Sequence, residues 1–170
     1  AQMLNALEYS YLVNRNIYLL NTTEAYIYFS HVMQVLTNIT LELMCRPELK
    51  NQEFGQLRKA IWHAQKMSRI GNWISTWERE LIEQDYTSWI FISALEQGVV
   101  THEDLLKGNK EQIIGAIKKS NIAANLLKEW EIEYNGLILS AERIHSVKIQ
   151  DIAEAMQKVI FLHLSSCGYK

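Results

Sequence analysis

The chain has 170 residues, 48% of them hydrophobic and 21% charged, with one proline, seven glycines and a formal net charge of −2 at pH 7. That length and apolar fraction suit one globular domain with its own core and exclude a disordered chain. The charge balance speaks against a nucleic-acid binder, which needs a basic patch or stripe, no apolar run is long enough to span a bilayer, and the shortage of proline and glycine excludes a turn-rich sandwich or barrel.

Residues 1 to 20 carry Leu4, Leu7, Tyr11 and Tyr18 at helical spacing. A second helical run extends from Thr22 or Thr23 to Cys45, with Val32, Val35, Leu36, Ile39 and Leu43 near a period of 3.6. Thr23 is its expected N-cap, and Pro47 ends it, because the residue before a proline avoids the α region. Residues 46–55 read as a loop. A long helix follows over 56–83, its apolar stripe formed by Leu57, Ala60, Ile61, Ala64, Met67, Ile70 and Ile74. Residues 85–88 read as a turn and cap before a short helix over 87–97, which Gly98 stops. Thr101 caps another short helix that ends at Lys107, with Glu103 and Asp104 in its first turn. A helix over 109–136, closed near Gly136, a loop over 142–148 and a last helix over 149–166 complete an all-α chain. Two cysteines, Cys45 and Cys167, are too few for a disulfide scaffold, so a reduced, cytoplasmic setting is expected.

The chemistry concentrates in the long helix. Asn72, Thr76 and Glu80 stand at i, i+4 and i+8. Each step of four residues turns about 40° and rises about 6 Å, so an amide oxygen, a hydroxyl and a carboxylate line one stripe. All three are hard oxygen donors of the kind Mg²⁺ takes while keeping waters or substrate phosphates in its other positions. Arg69 and Arg79 fall near the same stripe, and a guanidinium holds phosphate oxygens bidentately. Gly71 costs roughly 1 kcal/mol against alanine inside a helix, which points to a close approach there.

From Asn72 through Ser75 and Thr76 to Glu80, with Arg79 just before the final glutamate, the chain resembles the second metal-binding motif of class I terpene synthases. The passage Leu95-Glu96-Gln97-Gly98 followed by Thr101-His102-Glu103-Asp104 is similar to the stretch that follows that motif in the family. The resemblance covers roughly 56–168 well and 1–45 loosely. It implies an antiparallel helical bundle, three Mg²⁺ ions, a prenyl diphosphate substrate, and cyclisation of the carbocation left when diphosphate departs. Asn72, Thr76 and Glu80 would hold one Mg²⁺. Arg79 and Arg69 would act on the diphosphate, with Arg15 and Tyr169 as further diphosphate contacts. Tyr18, Tyr26, Phe29, Trp62 and Trp89 are candidates to face the cation. Trp73 stands where the family usually has aspartate, the 170 residues contain no aspartate-rich first motif, and the Arg-Tyr pair of the family's C-terminus is replaced by Tyr169 and Lys170. The resulting expectation is one all-α unit over 1–170, the C-terminal half of a synthase domain, associating with its missing half or as a homodimer. The other reading is a non-catalytic helical module that binds an isoprenoid or a partner chain.

Overall fold

The longest stretch of sequence without a turn signal becomes the axis of the fold. In the computed structural model, which describes residues 2–46 and 48–167, it forms a 30-residue helix. The described residues form nine α-helices and no strand: α1 Gln2–Arg15, α2 Thr22–Tyr28, α3 Val35–Met44, α4 Phe54–Glu83, α5 Trp89–Glu96, α6 His102–Lys107, α7 Lys110–Lys119, α8 Ile122–Ser140 and α9 Ile149–Ser165. None of these is long and apolar enough to cross a membrane.

Helix α4 is buried nearly all round between Ala64 and Trp77, the pattern of a core helix rather than a surface one. It stops where Gln84 turns left-handed at φ 61° and donates its N–H back to Glu80 O. Helix α8 lays Leu126, Trp130 and Leu137 into the core, and α9 lays Ile149, Ala153 and Met156 there, both at spacings of three, four or seven. Two glycines set these approaches. Gly71 of α4 faces α9, where a Cβ would lie 3.1 Å from the His163 ring and 3.2 Å from Ile160 Cδ1. Gly136 faces α4, where a Cβ would lie 2.6 Å from His63 Cε1. The close approach expected at Gly71 is therefore the last helix.

Polar ties fix the same packing. Glu133 of α8 takes a bond from Lys66 Nζ at 2.8 Å and shares one with His63 Nδ1 at 2.6 Å. Ser75 Oγ and His163 Nδ1 are 3.0 Å apart between α4 and α9. Glu53 accepts from the Ser146 and His145 amides and from Ser146 Oγ, clamping the α8–α9 connection to the start of α4. Those donors hold the Glu53 carboxyl down at about 2, led by the Ser146 hydroxyl. At the other end of α4, Asn14 of α1 donates to Asp85 and accepts from the Tyr86 amide.

Several boundaries differ from the sequence reading. The first helix ends at Arg15, and a 3₁₀ turn follows over Ile17–Leu19. The run from 22 to 45 divides at Gln34, which is left-handed at φ 57°. The buried Gln65 carbonyl takes the Leu36 amide at 2.8 Å, so α4 supplies the acceptor for the new helix start. Asn21, not Thr23, caps α2 through the Glu24 amide. The helix expected over 109–136 divides at Ser120 and Asn121. Ser120 turns extended, and its hydroxyl binds Ile117 O at 2.6 Å, the local competition that serine offers a helix. Gly136 ends nothing; α8 runs through it to Ser140. The Thr101 capping box forms with Asp104, as its spacing predicts.

Candidate functional site

Asn72, Thr76 and Glu80 follow one another along a single line of α4. Thr76 is 4% exposed and Glu80 6%. Thr76 Oγ1 lies 2.7 Å from Asn72 O and 2.7 Å from Glu80 Oε1. A hydroxyl has one proton, so it satisfies one of these acceptors unless Glu80 is itself protonated. Burial pushes the Glu80 carboxyl above its ordinary value, opposed by the Thr76 bond and by the charge of Arg69.

Arg69 enters from one turn before. Its Nη1 donates to Asn72 Oδ1 at 2.7 Å and its Nη2 to the Thr87 carbonyl at 3.1 Å. Its Cζ sits 5.2 Å from the centre of the Trp73 ring. The Arg69 residue is 5% exposed. Burial lowers its pKa to about 10, with Glu80 and Asp85 working against that, so it keeps its charge at neutral pH. Asp85 takes the Thr87 amide and hydroxyl and the Asn14 side chain, which holds the 85–88 turn against the stripe. Three buried polar atoms of these residues have no hydrogen-bond partner among the described residues: the acceptor Glu80 Oε2 and the donors Arg69 Nε and Trp73 Nε1.

The donor set fits a hard divalent cation. It offers a carboxylate with one oxygen unclaimed, a hydroxyl and an amide oxygen, which suit Mg²⁺ bound together with phosphate oxygens. It contains one carboxylate, and among the described residues no group of three or more His, Cys, Asp or Glu side chains is placed to hold a metal ion.

A cleft of about 210 Å³ opens between α2, α4, α5 and α8; α4 contributes Lys66, Ile70 and Trp73 to it, while Asn72, Thr76, Glu80 and Arg69 do not line it. Tyr26, Ile70, Trp73, Trp89 and Ile132 make its apolar walls, and Lys66, Glu129 and Glu133 its polar ones. Trp73 and Trp89 lie with ring centres 5.9 Å apart.

The remaining residues singled out in the sequence scatter. Arg79 is solvent-facing and pairs with Glu83 at 3.4 Å, although its charge reaches Glu80. Arg15 is exposed and binds the Tyr11 hydroxyl at 2.7 Å. Tyr169 lies outside the described residues. Of the aromatic candidates, Tyr26 and Trp89 line the cleft, Phe29 is fully buried in the core, Tyr18 stacks on His102, and Trp62 packs against His31. The chain matches no family model, no curated protein and no solved structure. Sequence reading missed Thr87, whose carbonyl anchors Arg69, and the Lys66–Glu133–His63 group. Residues 63 and 133 are seventy positions apart, and no local pattern joins them.

Proposed function

We propose that this chain belongs to a Mg²⁺-dependent class I terpene synthase, acting on a prenyl diphosphate. The observation that carries the reading is the pair of unclaimed buried atoms at one site, Glu80 Oε2 and Arg69 Nε. An acceptor without a donor and a donor without an acceptor, both desolvated, are costly unless a ligand completes them. A divalent cation answers the first and a diphosphate oxygen the second.

In this reading Asn72 Oδ1, Thr76 Oγ1 and Glu80 hold the cation, and Arg69 binds the diphosphate. When bound, Mg²⁺ supplies positive charge that stabilises the departing diphosphate. The allylic carbon–oxygen bond breaks, and its electron pair leaves on the diphosphate oxygen. The faces of Trp73 and Trp89 lie beside the stripe, where aromatic rings favour a cation by about 0.5–2 kcal/mol each.

A second reading rests on the bonds already made. Thr76 with Glu80, and Arg69 with Asn72, form buried hydrogen bonds that a non-catalytic helical module would keep for stability alone.

The test is incubation of the full-length protein with C10, C15, C20 and C25 prenyl diphosphates and Mg²⁺, with chromatographic detection of hydrocarbon product. The synthase reading predicts product that disappears on Asn72→Ala and on Glu80→Ala. Product that survives both changes contradicts the metal assignment. Absence of product from the unaltered full-length protein favours the non-catalytic module.

A further inference from the structure

The guanidinium of Arg69 holds one of the three oxygens assigned to the metal. It is bonded to Asn72 Oδ1 at 2.7 Å, and its charge acts on Glu80. A divalent cation held by Asn72 and Glu80 would therefore face a full positive charge within a few ångströms, in surroundings with little water to screen it. Like charges so placed do not share a site unless an anion comes between them.

We propose that Arg69 is the resting cation of this site: it holds Asn72 Oδ1 until a divalent metal and a diphosphate arrive together, then gives that oxygen to the metal and turns its guanidinium to a diphosphate oxygen. The inference rests on the metal-and-diphosphate reading above and adds how that site is kept closed when empty of substrate. Three features support it. Arg69 spends one bond on Asn72 and one on the Thr87 carbonyl, and its Nε finds no acceptor among the described residues, so it has capacity for an anion. Thr87 offers a second anchor that survives release of Asn72, and the Trp73 ring below the guanidinium guides a short displacement. The stripe has a single carboxylate, so one resident positive charge matches it while the site stands idle. Metal alone then binds weakly, and metal with diphosphate binds well.

The experiment is Mn²⁺ binding, followed by the free-ion electron paramagnetic signal, for the unaltered chain, Arg69→Gln and Arg69→Met, without and with inorganic pyrophosphate. Without pyrophosphate, both variants are expected to bind Mn²⁺ about tenfold more tightly than the unaltered chain, because the competing charge is gone. With pyrophosphate the advantage vanishes or reverses, because the unaltered chain regains a bond to the anion. Melting by circular dichroism confirms that the variants are folded. Should they unfold, the unaltered chain still answers: Mg²⁺ and pyrophosphate together, neither of which quenches indole, change its tryptophan emission, and neither does so alone, since the guanidinium shifts over the Trp73 ring only when both are bound. Equal Mn²⁺ affinity in all three proteins, or an unchanged emission, overturns the inference and leaves the metal site standing. No Mn²⁺ binding by any of them, with or without pyrophosphate, overturns the inference and the reading it rests on.

Discussion

At the scale of single residues, the donors that a buried polar group finds decide what it does. Glu53 and Glu80 are both buried carboxylates, and they move in opposite directions. Glu53 collects three donors from residues 145 and 146 and falls to about 2. Glu80 has one hydroxyl neighbour and an unclaimed oxygen, so desolvation dominates and it rises. The Glu53 shift has a definite pH signature. Its folded pKa is below the ordinary 4.5, so its stabilisation is complete above that value and is lost as pH falls from about 4.5 to about 2. Denaturation midpoints measured across that window should fall more steeply for the unaltered chain than for Glu53→Gln, and the two should converge near the acid end. Parallel curves would contradict the clamp. Asn72, Thr76 and Glu80 were legible as one line because four-residue spacing fixes their geometry. The partner that holds Asn72 was also legible, as Arg69 lies three residues away. What the spacing could not convey is that Arg69 also reaches Thr87, eighteen residues on, which depends on the turn that Asn14 and Asp85 build from two distant segments.

At the scale of elements, α4 and α6 follow from their sequences almost to the residue, since an uninterrupted 3.6 period and a capping box are local signals. The division at Ser120 is local but carries no glycine or proline to announce it, and the division at Gln34 is not local. Gln34 carries no glycine-like permission for a positive φ; the turn is compensated by Gln65, which lies on another helix. The two interior glycines give a paired prediction. In Gly136→Ala the new Cβ meets the His63 ring, which Glu133 pins at 2.6 Å, so the ring has little room to yield. Overpacking of this kind costs about 1–3 kcal/mol. In Gly71→Ala the contacts are 3.1–3.2 Å, partly to the tip of Ile160, and a gain in helix propensity of about 1 kcal/mol offsets them. Chemical denaturation should therefore show Gly136→Ala clearly less stable than Gly71→Ala. The reverse order would contradict the described α4–α8 approach.

At the scale of the whole molecule, the all-helical architecture was legible in composition alone: one proline and seven glycines in 170 residues leave few places for tight turns. The number of helices was not, because short connections such as residues 120–121 carry no proline or glycine. The packing of α8 along α4, with α2 and α5, encloses an aromatic cleft that shares Ile70 and Trp73 with the helix carrying the stripe. Apolar side chains remain exposed along α1, at Leu4, Leu7, Tyr11 and Leu12, and on α9, at Phe161 and Leu162.

The central claim is that Asn72, Thr76 and Glu80, with Arg69, form one site for a divalent cation and a diphosphate. The most direct measurement is the melting temperature of the chain in Mg²⁺, in inorganic pyrophosphate, and in both together. Ligands bound only to the folded state at about 100 times their dissociation constant add about 2.7 kcal/mol of stability. The account predicts that the two together raise the melting temperature well beyond the sum of their separate effects, and that Asn72→Ala removes the excess. An additive response, or one that Asn72→Ala leaves unchanged, would contradict it.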